Sequence, residues 1–189
     1  SSDWRVPWGD CSDAQTLCRS APHGSAPGEA GVEVTDALMD VLYTYVSGLA
    51  VPPRRDTDDP IVQRGEQLFR QAGCERCHRA DYTLASDADG TTETISPWSD
   101  LLLHDMGARL ADHRPEHEAN GREWRTPPLW GVGLTQVVNP RAGFLHDGRA
   151  RTLMEAVLWH GGEADASRRA VMGMKRAERQ ALISFLESL

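Results

Sequence analysis

The sequence is poor in cysteine and lysine, and it contains no long apolar run. Four of its 189 residues are cysteine, and Lys175 is the only lysine, a scarcity from which we infer no function. No stretch of about 18 apolar residues is present, so the sequence predicts no membrane-spanning helix. Acidic residues outnumber basic ones and give a formal net charge of −8. This charge argues against nucleic acid and anionic membrane surfaces as partners.

Two of the four cysteines lie in the pentapeptide Cys-Glu-Arg-Cys-His at residues 74–78. C-x-x-C-H is the attachment motif of c-type haem. Cys74 and Cys77 are about one helical turn apart, which suits the two vinyl groups of one porphyrin, and His78 follows at once to ligate the iron. A redox dithiol needs a βαβ context and a zinc site needs a second ligand pair, and we find neither in the sequence. The motif therefore predicts one covalently bound haem c.

The remaining cysteines are Cys11 and Cys18. Six residues separate them, and serine and aspartate lie nearby. Haem is attached to C-x-x-C-H outside the cytoplasm, which predicts a periplasmic or otherwise extracytoplasmic bacterial protein. In such an oxidising compartment we expect Cys11 and Cys18 to form a disulfide, with two free thiols as the alternative. The sequence begins without a signal peptide, so we expect a mature product or a fragment.

Apolar periodicity and capping residues predict a largely helical chain. Residues 1–54 are expected to form an N-terminal extension, an irregular arm plus one helix, and residues 55–189 a c-type cytochrome domain. The predicted fold class is all-α, a class I cytochrome c-like haem domain with long loops. Phe69 and Phe185 are expected at the contact between the second and last helices. The predicted helices are 34–49, 60–72, 96–110, 152–159 and 176–188.

Three longer stretches carry a resemblance to a known family. They read SDLLLHDMG at 99–107, EWRTPPLWG at 123–131 and FLHDGRARTLMEAV at 144–157. These stretches resemble the diheme oxidoreductases, which are related to bacterial diheme cytochrome c peroxidases. The similarity is strong over residues 55–189 and looser over residues 1–54.

Complete members of that family resemble two tandem cytochrome domains, whereas this sequence contains a single C-x-x-C-H motif. The resemblance is to the C-terminal haem half, which relays electrons in the peroxidases. It implies an electron-transfer domain whose partner is a redox protein or a second haem domain. The alternative is a peroxidase or related oxidoreductase acting at this haem or with a partner haem domain. The relatives' interdomain calcium is not predicted here, because the other half is absent.

The second axial ligand of the iron is one of several histidines and methionines. In the relatives, the distal ligand lies fourteen residues after the histidine of a segment like Phe-Leu-His-Asp-Gly. Counting fourteen residues from His146 reaches His160, where the relatives have methionine or tyrosine. The resemblance thus implies His160 as the ligand, with Met106 as the alternative. A second imidazole predicts a low potential and a closed coordination sphere.

Three further side chains are candidates for the surroundings of the haem. Arg125 is a candidate partner for a haem propionate, although a surface salt bridge is an alternative. His146 is expected to hydrogen-bond the backbone near the haem edge. His104 is expected on a helix among leucines, as a structural histidine with its hydrogen bonds satisfied.

Overall fold

A computed structural model describes residue 11 and residues 13–20, 34–85 and 90–189. The described helices are α1 (Thr16–Ser20), α2 (Asp36–Ser47), α3 (Pro60–Gln71), α4 (Thr135–Val138), α5 (Leu153–Trp159), α6 (Asp165–Gly173) and α7 (Arg176–Ser188). The described strands are β1 (Tyr82–Ala85), β2 (Thr92–Ile95), β3 (Leu103–Asp105) and β4 (Glu123–Arg125). Single 3₁₀ turns occupy Cys74–Arg76, Val132–Leu134 and Gly162–Ala164.

The predicted all-α fold class is wrong, because the described residues contain two small antiparallel sheets. β1 pairs with β2, and β3 pairs with β4. The helix predicted at 96–110 does not form, and His104 lies on β3 rather than on a helix. Trp98 and Leu101 adopt positive φ values of 55° and 61°, which an α-helix does not accommodate. The run of leucines that suggested a helix is therefore part of an irregular segment and a strand.

The helices with clear capping signals are confirmed. The Asp59 carboxylate accepts a hydrogen bond from the Ile61 N–H, Pro60 opens α3, and Gly73 follows it with a φ of 79°. Thr152 caps α5 by accepting from the Glu155 N–H. These signals lie within a few residues of each helix end, which is why the sequence alone was enough to find them.

α3 and α7 cross with their backbones in contact. A methyl group added at Gly65 would overlap the Ala181 carbonyl oxygen and come within 2.7 Å of the Phe185 Cβ. One turn further along α3, the Phe69 and Phe185 ring centroids lie 5.2 Å apart, as the sequence predicts. Glycine at position 65 thus permits the close approach that brings the two aromatic rings together.

An aromatic cluster forms the centre of the core beside this helix crossing. Trp98 packs edge-on against both Phe69 and Phe185, with ring centroids 5.8 and 5.2 Å apart. Phe69 in turn lies 6.2 Å from the ring of His78. The core therefore extends directly to the histidine of the C-x-x-C-H motif.

The chain divides into two compact units. One comprises Ser1–Ala50 and Asp112–Gly121, and it includes α1, α2 and the Cys11–Cys18 disulfide, which confirms that predicted bond. The other comprises Val51–Ala111 and Arg122–Leu189, and it includes the helix crossing. The predicted boundary after residue 54 stays a prediction, and most of the predicted N-terminal arm lies outside the described residues. No helix among the described residues is long and apolar enough to cross a membrane.

Candidate haem-binding site

The C-x-x-C-H motif follows directly from the end of α3. Gly73 turns the chain out of the helix, and residues 74–76 form a 3₁₀ turn. The His78 N–H then donates to the Cys74 carbonyl oxygen (3.0 Å), which closes a compact loop. Cys74 and Cys77 are free thiols, half-buried on either side of this turn. The local fold therefore holds both sulfurs and the His78 ring on one short segment.

A neighbouring segment fixes the orientation of the His78 ring. The Trp98 carbonyl oxygen lies 3.1 Å from the His78 Nδ1. Because a carbonyl oxygen only accepts, Nδ1 carries the proton, and Nε2 is left with its lone pair. The backbone at Trp98 has a φ of 55°, in the left-handed region that a bulky residue seldom adopts. This unusual conformation belongs to the residue whose carbonyl oxygen sets the His78 tautomer.

The His160 ring is fixed in the same way from the other side. His160 lies at the C-terminal cap of α5, and its Nδ1 lies 2.8 Å from the Ala156 carbonyl oxygen. Nδ1 of His160 is therefore the protonated nitrogen, and its Nε2 also keeps a free lone pair. Metal-bound histidines in proteins typically have their second nitrogen held by such a partner.

His78 and His160 lie at the separation that suits two ligands of one metal ion. Their ring centroids are 6.4 Å apart, and the ring planes are inclined by 50°. A metal–imidazole bond is about 2 Å long, and the bound nitrogen lies about 1 Å from its ring centre. Two ring centres with a metal ion in line between them are therefore about 6 Å apart. The donor set of two imidazoles beside two free thiols therefore fits a haem c.

Burial keeps these groups in their neutral forms. Desolvation, followed by the proximity of His160, lowers the pKa of His78 to about 4. Desolvation also lowers the pKa of His160. Both rings are neutral near pH 7, the form in which imidazole binds metal.

The two motif thiols shift in the opposite sense. Burial raises the pKa of Cys74 to about 11, and burial followed by the charge of Asp100 raises the pKa of Cys77. Reactive redox dithiols have depressed cysteine pKa values instead. The electrostatics of the motif thus argue against a redox dithiol.

His104 forms a network with two carboxylates next to the motif. Its Nε2–H donates to Asp100 (2.8 Å) and its Nδ1–H donates to Glu163 (2.9 Å). The hydrogen bond to Glu163 is the largest cause of the raised pKa of His104. Asp100, His104 and Cys77 have ligand atoms within 4.8 Å of one another, but both His104 nitrogens are already occupied by hydrogen bonds. His104 thus has its hydrogen bonds satisfied, as the sequence predicts, although it lies on a strand.

The other predicted site residues lie in different surroundings. The His146 ring stacks on Trp124 with centroids 3.6 Å apart. Arg125 is exposed at the end of β4, and within the described ranges no carboxylate forms an ion pair with it. Met106 directly follows β3 and is half-buried. Among the described residues, the ring contacts bring only His160 into proximity with the His78 ring at metal-ligand spacing.

A separate cavity of about 460 Å³ lies beside α5 and α7. Leu153, Ile183 and Arg179 are among the side chains that line it. His78, His160 and the two motif cysteines do not contribute to its walls. The cavity is therefore not part of the candidate site.

Sequence reasoning missed the groups that orient the two histidines. The carbonyl oxygens of Trp98 and Ala156 are backbone atoms, which no residue pattern marks as special. Glu163 was also missed, because its partner His104 lies 59 residues away in the sequence. The local sequence signal for Glu163 is its position just after Gly161 and Gly162.

A comparison with protein-family models identifies a match over residues 14–189. The matching family is described as "Di-haem oxidoreductase, putative peroxidase". No curated protein and no solved structure matches the chain.

Proposed function

The chain belongs to the di-haem oxidoreductase family, and from that premise we propose that it is a c-type haem electron-transfer domain. Its role would resemble that of the C-terminal, electron-relay half of a diheme peroxidase. The 6.4 Å separation of the His78 and His160 rings is the observation that carries this proposal.

The proposed cofactor is one covalently attached haem c, which supplies one-electron redox chemistry when bound. Cys74 and Cys77 would attach it through thioether bonds. His78 would bind the iron on one face and His160 on the other. The presence of haem follows from the family, whereas the number of haems and the covalent attachment are part of the proposal.

Two histidine ligands favour electron transfer over peroxide chemistry. The Trp98 and Ala156 carbonyl oxygens hold both rings in place, so neither ring needs to reorient during a redox cycle. Filling both axial positions leaves none for peroxide. The alternative, a peroxidase acting at this haem, requires an open position on one face.

The charge of the chain indicates the kind of redox partner. A net charge of −8 favours a partner surface that is basic around its electron-exchange site, because complementary charge speeds encounter. A second haem domain is the other proposed partner, in keeping with a family that is described as di-haem. Attachment of haem to C-x-x-C-H takes place outside the cytoplasm, so the proposal includes a periplasmic or otherwise extracytoplasmic location.

Cyanide binding to the ferric, haem-loaded protein tests the proposal. The native protein is expected to bind cyanide slowly or not at all, because His160 must first dissociate. His160→Ala is expected to bind cyanide readily and to become high-spin. The control is His113→Asn, a change at an exposed loop histidine whose φ of 60° asparagine tolerates. The control should behave like the native protein.

The same cyanide-binding experiment can also contradict the proposal. Rapid cyanide binding by the native protein would mean an open axial position and would favour the peroxidase alternative. A His160→Ala protein that stays low-spin would place the ligand elsewhere, and Met106→Ala would be tested next.

A further inference from the structure

The segment that carries His160 has little intrinsic rigidity. α5 is only seven residues long, and His160 ends it. Two glycines follow, and Gly162 has a φ of 53°. The Ala156 bond orients the His160 ring on α5. Because glycine is the most permissive residue, this backbone alone does not fix the distance of the ring from His78.

The two glycines pack tightly against the end of β3. A methyl group added at Gly161 would lie 2.9 Å from the Met106 carbonyl oxygen, and one at Gly162 would overlap the Asp105 carbonyl oxygen. The segment after His160 therefore lies against the backbone of residues 105–107. Hydrogen bonds between the two segments would hold them in this register.

Glu163 supplies that attachment with both of its carboxylate oxygens. Oε1 accepts from the Asp105 N–H (2.9 Å), and Oε2 accepts from the His104 Nδ1–H (2.9 Å). Glu163 lies three residues after His160, and both of its bonds reach β3. The Glu163 side chain thus binds both the backbone of the strand, at Asp105, and a side chain of the strand, that of His104.

The attachment continues to the other axial histidine. His104 Nε2–H donates to Asp100 (2.8 Å), and the Asp100 N–H donates to the Cys77 carbonyl oxygen (2.7 Å). Cys77 immediately precedes His78. A continuous hydrogen-bonded chain therefore joins the segment after His160 to the segment before His78, through Glu163, His104 and Asp100.

We propose that Glu163 is a positioning residue that, through His104 and Asp100, sets the spacing between His78 and His160. This inference rests on the proposed function, in which both histidines bind the iron. Since His104 faces a carboxylate from each nitrogen, both nitrogens carry protons and both bonds are charge-assisted. Groups that hydrogen-bond a metal ligand typically change metal affinity or activity by about 10–100-fold when mutated. Glu163 acts through more links than these, so we expect an effect at the lower end of that range.

The exposure of these side chains shows where the effect should appear. The Asp100 and His104 side chains are 11% and 17% exposed, whereas that of Glu163 is 56% exposed. An exposed ion pair adds little to global stability. Loss of Glu163 should therefore loosen His160 without unfolding the chain.

The test measures the rate of cyanide binding to the ferric, haem-loaded protein for four variants. Glu163→Ala removes both bonds to β3 and is expected to bind cyanide about tenfold faster than the native protein. Glu163→Gln keeps one acceptor oxygen and should fall between them. Glu178→Ala is the matched control, because Glu178 also accepts a backbone N–H bond (2.9 Å, from Lys175) but lies on α7. His160→Ala gives the rate for an open axial position.

The four rates separate the two proposals. Faster binding in both Glu163 variants, with Glu178→Ala unchanged, supports the positioning role. Native rates in both Glu163 variants, with rapid binding in His160→Ala, overturn the positioning role and leave the ligand assignment standing. Slow binding in His160→Ala overturns both. If Glu163→Ala does not accumulate as haem-loaded protein, Glu163→Gln alone decides, and a native rate in that variant overturns the role.

Discussion

His78 and His160 each have one ring nitrogen held by a backbone carbonyl oxygen. The partner is Trp98 for His78 and Ala156 for His160. The two rings reach the same tautomer by different means, one from a strained loop and one from the preceding turn of its own helix. Fixing the tautomer directs the free lone pair of each ring and raises its basicity as a ligand. The site therefore depends on backbone geometry as much as on side-chain identity.

The thiols of Cys74 and Cys77 provide the first prediction. Haem in the native protein should remain with the chain after denaturation and acid–acetone extraction, because thioether bonds survive that treatment. The double variant Cys74→Ala/Cys77→Ala should lose its haem on extraction, as judged by haem staining of a denaturing gel.

The second cysteine pair provides the control for this experiment. Cys11→Ala/Cys18→Ala removes the disulfide and leaves the motif intact, so its haem should stay attached. Haem that is extracted from the native chain would show that attachment is not covalent.

At the scale of elements, the crossing of α3 and α7 depends on a residue without a side chain. Gly65→Ala should destabilise the protein by about 1–3 kcal/mol, because the added methyl group overlaps the Ala181 backbone and the helices must separate. Urea unfolding measures this change. Gly173→Ala in α6 is the control, since its methyl group would meet open space and alanine favours helix. Equal effects of the two substitutions would contradict the close crossing.

α3 is also attached to the preceding segment by Glu66, which bonds Arg54 (2.6 Å) and Arg70 (2.7 Å). Burial raises the pKa of Glu66, but the hydrogen bonds from Arg70 and Arg54 outweigh burial and hold that pKa below its ordinary value. A lowered folded-state pKa means that the stabilisation is present above the unfolded pKa and is lost as the pH falls through the folded one.

Comparison of Glu66→Gln with the native protein tests this pH dependence. We expect the variant to be less stable by about 1 kcal/mol near pH 7. The difference should shrink below about pH 4, where the native carboxylate also becomes protonated. Glu93→Gln, at an exposed position in β2, is the control for the replacement of glutamate by glutamine itself. A difference that is constant with pH would contradict the charge-based explanation.

The elements also show what the sequence predicts and what it does not. Helices α3, α5 and α7 follow from caps and periodicity, which are local signals. The segment 96–110 is predicted as a helix from its Ser96–Pro97 start and its apolar residues, whereas the pairing of β3 with β4 depends on residues about twenty positions away. Strand pairing depends on tertiary contacts, which the pattern of a single sequence predicts poorly.

At the scale of the whole molecule, the motif predicts the haem-binding segment, whereas the proposed second ligand needed the family resemblance. Cys74, Cys77 and His78 lie within five consecutive residues, so a short sequence motif is enough to predict their chemistry. His160 is distant from them, and only its spacing from His146 in the family pattern singled it out. The network through Glu163 was not predicted, because it joins three separate segments.

The family is described as di-haem, whereas this chain carries one C-x-x-C-H motif in its 189 residues. Under the proposed function, this haem receives and passes electrons, and any chemistry on peroxide takes place at a different haem. The central claim is therefore that both axial positions of this haem are filled by histidine.

The electron paramagnetic resonance spectrum of the ferric, haem-loaded native protein near pH 7 tests that claim most directly. We predict a purely low-spin signal of the kind given by two imidazole ligands, because under the proposed function His78 and His160 would bind the iron on opposite faces. A high-spin signal would show that one face is open and would contradict the account.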